Sequence, residues 1–491
     1  MKRKILSIAI SLGLLVGLMA VPVQAATEDE IEESVQKGIE WLVTQQNADG
    51  SWGTYEQVAH TGLAVVKLED RAYELGYSPF DPEYEYSENV MMGLDYIFSN
   101  AAIHAEGGVC FAMGGHETYN TGVAMMAIAA SRTPGRIVNV PGPINTWTYE
   151  EVLHNNVKFF GNTQNPDGGW RYSAGDEPSD NSNTGYAVLG LRYAEVFGIE
   201  IPQSVKDNLA GYIEYIQCDP GDSMYVPSAD GGSGYVVPCD WVNILKTGNL
   251  LFEMKFVGWN LEHERVQRAI AYIVRHWGDM NQDPGWRYHR QAMYCTMKGL
   301  EAYVLDEIDG IDWFEDLSDE LVATQNPDGY WPWDPWGDEV LSTAWALLTL
   351  ERVVPPLPVP VDVKPTSCPN PINVNSKGVL PVAILGTEDF DVTRIDPASI
   401  RLMGVVPLRW AYEDVATPVE PYLGKENPYG CSEEGPDGYL DLTLKFDTQE
   451  VVSMMGDVAD GDVLVLLLRG SLMDNGRNII GQDVVIIIKK K

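Results

Sequence analysis

Gln164-Asn165-Pro166-Asp167-Gly168-Gly169-Trp170 is the stretch that decides the fold, because it comes back. It appears earlier as Gln45-Gln46-Asn47-Ala48-Asp49-Gly50-Ser51-Trp52-Gly53 and later as Gln325-Asn326-Pro327-Asp328-Gly329-Tyr330-Trp331. A weaker copy reads Asn281-Gln282-Asp283-Pro284-Gly285-Trp286. Pro, Asp and Gly make a tight turn that ends a helix, and Trp then packs a large face over the joint. Gln45, Asp49, Gly50, Trp52, Gln164, Asp167, Trp170, Gln325, Asp328 and Trp331 are therefore assigned a structural role, as a clasp between repeated units.

A second repeat runs in step with the first. A threonine followed by a small or apolar residue recurs at Thr61, Thr121, Thr184, Thr247, Thr296 and Thr343, each opening an apolar run. The run after Thr121 places Val123, Met126, Ile128 and Ala130 at helical spacing. Such runs carry few charges, so they predict helices buried on most sides. A more charged helix precedes them, as at Ile31 to Gln45, Glu150 to Phe160 and Glu264 to Trp277. One such pair cannot bury its own apolar face, so neighbours must stack. Six pairs are expected to close into a ring with the apolar helices inside.

With its helix pairs, the Gln-x-x-Asp-Gly-x-Trp-Gly clasp resembles the Gln-Trp repeats of squalene and hopene cyclases and of the prenyltransferase superfamily, over about Ile31 to Val354. That resemblance implies an all-α (α/α)6 toroid. It does not carry the relatives' chemistry across. A squalene-type cyclase protonates an alkene with an Asp-x-Asp-Asp motif, and no Asp-Asp dipeptide occurs here. Aspartate-rich diphosphate motifs fail on the same ground. The prenyltransferase zinc set needs an Asp two residues before a Cys, and the complement-type thioester needs Gly-Cys-Gly-Glu-Gln. Neither is present.

The residues just before the repeated threonines are the candidate ligand-cavity set: His60, Asn120, Asn183, Lys246, Cys295 and Ser342. Helix capping explains Asn, Ser and Thr there, but explains His60, Lys246 and Cys295 less well. Catalytic residues are not identified. No cofactor is predicted, and no metal site either, because His116 with Cys110 lacks further ligands. Aromatic residues crowd the loops, Trp331 to Trp336 above all, and suit packing, sugar stacking or enclosure of a polyprenyl chain.

The chain is expected to be multidomain and exported. Lys2, Arg3 and Lys4, the apolar run Ile5 to Val21, and Ala25 and Ala26 read as a signal peptide over residues 1–25, with an uncleaved anchor as the alternative. The toroid follows over 26–354 and a Pro-rich linker over 355–361. Beyond it the helical period gives way to β-branched runs, such as Val379 to Leu385, Leu440 to Phe446, Val463 to Leu468 and Val484 to Ile488. Residues 362–491 therefore read as an all-β, sandwich-like domain. Val361-Asp362-Val363-Lys364-Pro365 and Gly378 to Gly386 resemble a C-terminal module of exported prokaryotic proteins. By analogy that module attaches its carrier to the cell envelope.

Seventy-one acidic residues against 33 basic ones exclude nucleic acid as a partner and speak first to solubility. Export permits disulfides, and Cys218 with Cys239 and Cys368 with Cys431 are the expected pairs, leaving Cys110 and Cys295 as buried thiols. The function expected is binding of a lipid, glycan or other small ligand, or service at the cell envelope. The alternative is a terpene cyclase-like or lyase-type enzyme with non-standard catalytic residues.

Overall fold

The computed structural model describes residues 25–75, 77–112, 114–351, 357–387, 390–419, 422, 425, 427–456, 458–473 and 478–489. The signal-peptide segment lies outside them, save for its last residue, Ala25, and so do Pro355 and Pro356 of the linker.

Twelve helices alternate between outer and inner positions. The outer ones are α1 Glu28–Thr44, α3 Ser87–Ser99, α5 Tyr149–Thr163, α7 Gln203–Ile216, α9 Glu264–His276 and α11 Trp313–Thr324. The inner ones are α2 Gln57–Glu74, α4 Glu117–Ala130, α6 Asn181–Phe197, α8 Ile244–Phe256, α10 Arg290–Ala302 and α12 Glu339–Leu350. The inner helices pack in chain order, and α12 packs back against α2, so the ring closes. The result is a helical toroid. Small hairpins, β1 Ala101–Ile103 with β2 Val109–Phe111 and β3 Glu307–Ile308 with β4 Ile311–Asp312, sit in its connections.

Inner helices are buried because both flanks are covered by neighbours. Every residue of α2 from Val58 to Ala72 is buried. Close approach needs small residues at the crossings. A Cβ on Gly122 of α4 would stand 2.3 Å from the Tyr186 carbonyl oxygen of α6. Capping sets the helix starts: Thr27 with Glu30 and Thr148 with Glu151 form reciprocal capping boxes at α1 and α5. Asp180, Asn243 and Asp338 cap α6, α8 and α12.

The C-terminal part is built of strands β5 Leu357–Pro358, β6 Val361–Val363, β7 Asn370–Asn373, β8 Val379–Ile384, β9 Ile395–Leu402, β10 Arg409–Glu413, β11 Asp441–Asp447, β12 Val463–Leu472 and β13 Asn478–Ile488. One sheet runs β10-β11-β8-β6; the other runs β5-β13-β12-β9, with β7 also paired to β13. Val382, Leu444 and Phe446 of the first sheet share one apolar cluster with Leu466, Leu468 and Val485 of the second. Two details depart from expectation. Leu357–Pro358, placed in the linker by composition, pairs in parallel with β13. Leu440 to Phe446 alternates in sequence as a half-exposed strand should, yet β11 buries Asp441 and Thr443 as well, because β10 and β8 flank it and the Asp441 carboxylate accepts the N–H groups of Gly386, Val415 and Ala416. Among the described residues no helix is long and apolar enough to cross a membrane.

Candidate functional site

The clasp works through three contacts. The indole N–H donates to a carbonyl near the end of the preceding outer helix: Trp52 to Leu42, Trp170 to Phe160, Trp286 to Trp277 and Trp331 to Leu321, at 2.7 to 3.1 Å. That answers one orphan carbonyl at each helix end. The backbone N–H of the clasp residue then donates to the repeated threonine hydroxyl, as in Trp52 to Thr61, Phe111 to Thr121, Trp170 to Thr184, Ser233 to Thr247 and Trp331 to Thr343. Finally the glutamine amide bridges to the next outer helix. Gln164 donates to Gly168 and Val205 carbonyls, and Gln325 to those of Gly329 and Ser34.

This geometry corrects one assignment. Gln45 donates only to Thr44 Oγ1, whereas Gln46 donates to the Gly50 and Asn89 carbonyls. The glutamine must lie four residues before the turn glycine for its amide to reach both carbonyls, and Gln46 has that spacing. Gln217, which the sequence pattern missed, does the same with Gly231 and Arg265 across the inserted Cys218–Cys239 loop. Asp49 accepts from Ser51, and Asp167 from Gly169 and Ser179. The Asp328 backbone N–H donates to Asn326 Oδ1, and among the described residues its carboxylate shows no such acceptance.

The six candidate cavity residues are all buried, and they sit within the first two turns of the inner helices rather than at their caps. Each makes its own set of contacts. His60 Nε2 lies 3.4 Å from Asp338 Oδ1, joining the first repeat to the sixth. Asn120 accepts from the Ala59 N–H and donates to Glu56 Oε2, joining the second repeat to the first. Asn183 donates to its own cap, Asp180. Lys246 Nζ lies 4.1 Å from the centre of the Trp241 ring, and burial pulls its pKa down to about 7 against the upward pull of Asp283 and Asp240. Burial pushes the Cys295 thiol well up, and the Ser342 hydroxyl has no hydrogen-bond partner.

Other residues converge. At the entrance to the inner helices, side chains form a continuous belt. Trp336 packs on Trp241 at 5.9 Å and Trp241 on Tyr235 at 5.5 Å. The Tyr235 and Tyr172 hydroxyls are 2.8 Å apart, and Tyr172 packs on the His116 ring at 4.7 Å. His116 Nδ1 is 2.7 Å from Glu56 Oε1. Next to Glu56, Tyr55 lies edge-on to His60 at 4.9 Å, and His60 reaches Asp338, two residues after Trp336. Below the belt Tyr119 meets Tyr186 at 4.6 Å, and Gln291 donates to the Tyr186 hydroxyl. Because α6 and α10 are not neighbours in the ring, that last bond reaches across the lumen.

Glu56 and His116 stand out within the belt. They are the cap residues of α2 and α4, and both hold left-handed backbone, φ 43° and 56°. Such conformations cost about 1–3 kcal/mol in residues other than glycine and cluster where function requires a fixed direction. Here they aim a histidine at a carboxylate whose other oxygen is held by Asn120 at 2.5 Å. His116 Nδ1 faces Glu56 on a half-exposed ring, so a proton held on Nδ1 would leave Nε2 to act as a base. Asp338 is held below the usual carboxylate range: burial pushes it up, but His60 and the Leu341 and Val340 N–H groups outweigh burial.

No protein-family model and no characterised protein matches the sequence. Solved structures do show likeness. A type II terpene cyclase from Scytonema is 13% identical, with 67% of this chain and 98% of that one covered and a TM-score of 0.42. The protein geranylgeranyltransferase-I of Candida albicans is 13% identical over 65% and 90% of the two chains, TM-score 0.42. A family 76 glycoside hydrolase (mannosidase) from Bacteroides thetaiotaomicron is 9% identical over 66% and 98%, TM-score 0.45.

Proposed function

We propose that the chain is an extracytoplasmic (α/α)6 toroid of six helix pairs that binds a glycan or similar small polar ligand at the belted entrance. The β sandwich after the linker, residues 362–491, serves to attach or space it at the cell envelope. The belt carries the reading: aromatic faces alternating with a histidine and carboxylates suit a polar molecule with an apolar face, as a sugar has. A polyprenyl chain would need an apolar lumen. This lumen carries Tyr119, Tyr186 and Gln291, and deeper in, the buried Lys67–Glu351 pair. Two disulfides, Cys218–Cys239 and Cys368–Cys431, fit an oxidising compartment. Titration calorimetry with soluble oligosaccharides, and separately with geranylgeraniol in detergent, tests the ligand class. Sugar binding lost in Trp241→Ala is the expected result, and binding of the isoprenoid alone would overturn it.

The Glu56–His116–Asn120 geometry favours a second reading, an acid–base enzyme of lyase type. His116 Nε2 would take a proton from a sugar-ring carbon, with Glu56 holding the ring and stabilising its charge, as a C=C bond forms, the bond from the adjacent carbon to the glycosidic oxygen breaks and that oxygen leaves with a proton from water. The assay is the appearance of unsaturated sugar ends by ultraviolet absorbance. Activity abolished in His116→Ala supports the enzyme; no product from any polysaccharide bound leaves the binding role alone.

A further inference from the structure

Beside the belt, on the other flank of the loop that carries Trp336, lies an open cleft of about 660 Å³. Tyr288, Arg290, Pro332, Trp333, Asp334 and Pro335 line it. Trp333 and Tyr288 are 65% and 53% exposed, an unusual state for large aromatic rings, whereas Arg290 is only 4% exposed.

Arg290 is the anomaly. Its Nη1 donates to the Tyr288 carbonyl at 3.1 Å and its Nη2 makes a long contact to Thr324 Oγ1 at 3.4 Å. Its Nε is buried with no partner. The structure shows no ion pair to it among the described residues, although acidic residues outnumber basic ones 71 to 33. A buried cation without a carboxylate is costly. Asp334 and Glu320 lie near enough for their charge to act on it, but neither pairs with it directly. Asp334 accepts from the Trp336 and Gln291 N–H groups and lies 3.6 Å from His289 Nδ1. Glu320 turns Oε2 to Arg287 at 3.3 Å, and its buried Oε1 makes no hydrogen bond among the described residues. Arg290 lines the cleft, and its guanidinium is the cation there that suits a planar anion such as a carboxylate.

We infer that this cleft is a subsite for a uronate residue of an acidic polysaccharide, its carboxylate paired with Arg290 and its ring stacked on Trp333 or Tyr288. The inference rests on the glycan reading above and deepens it, by naming the sugar class and extending the binding surface from the belt across the 332–336 loop.

The test uses the full exported chain, tetragalacturonate as the acidic probe and cellotetraose as the neutral one, with tryptophan fluorescence and calorimetry as readouts. Tetragalacturonate is expected to bind at least about tenfold more tightly, with an advantage that shrinks as salt is raised. Arg290→Gln should erase the advantage. If that variant does not fold, the exposed Trp333→Ala carries the test, and it should weaken tetragalacturonate by about tenfold or more. Equal binding of the two probes, lost in Trp241→Ala and unmoved in Trp333→Ala, overturns the uronate subsite and leaves the belt reading standing. No binding of either probe overturns both.

Discussion

At Thr184 one hydroxyl ties the end of the clasp to the inner helix, accepting the Trp170 N–H at 3.0 Å and facing its carbonyl at 3.2 Å. Both groups are buried, so Thr184→Val should cost about 1–3 kcal/mol by stranding a donor. Thr296 is the matched control. It holds the same place in its repeat, but its hydroxyl has no partner, so Thr296→Val should change stability by no more than about 0.5 kcal/mol or raise it. Denaturant midpoints of the two variants decide this. Lys246 supplies a pH prediction. Its ordinary pKa of 10.5 falls to about 7 in the fold through burial, so the unfolded chain binds the proton more tightly across that window. The penalty is full below about pH 7 and is relieved as pH rises toward 10.5. Lys246→Met should therefore raise the melting temperature more at pH ~6 than at pH ~9.5.

Among elements, the joints between a clasp turn and the next outer helix bear the packing. Gly329 has φ 101°, and a Cβ there would stand 2.3 Å from the Lys37 carbonyl oxygen of α1. This is the seam where the sixth repeat meets the first, also bridged by Gln325 and Ser34. Gly329→Ala should cost about 2–4 kcal/mol, from backbone strain plus a backbone clash. Gly198→Ala, with φ 112° but open space around it, should cost only about 1–2 kcal/mol. Chemical denaturation of the pair separates conformational strain from seam packing. If both cost the same, the seam glycine is not a packing residue.

For the whole molecule, burial makes the stability of the toroid and of the β part change with pH in opposite directions, through Lys246 and Asp362. Asp362, on β6, is raised to about 7 by burial and by Asp483, against an ordinary value of 3.8. The folded β part therefore holds a proton that the unfolded chain releases, and its stability should fall as pH rises from about 4 to about 7. Asp362→Asn should flatten that slope, read as the melting temperature of the C-terminal transition across pH. The two parts also touch, since Arg469 of β12 and Arg132 both lie over the Tyr73 ring, at 5.4 and 4.0 Å. By itself the sequence determined the helical repeats, the apolar inner helices and the clasp tryptophans, which follow from local spacing and from turn chemistry. The two cysteine pairs were expected from compartment and spacing, but only the structure fixes their connectivity. Only the tertiary structure chose Gln46 over Gln45, since both carry the same side chain and only the Gly50 and Asn89 carbonyls tell them apart. The belt was equally hidden. His116 meets Glu56, and Trp241 meets Trp336, across repeats far apart in the chain. The closed ring makes such residues neighbours, and no local period records which of them will meet.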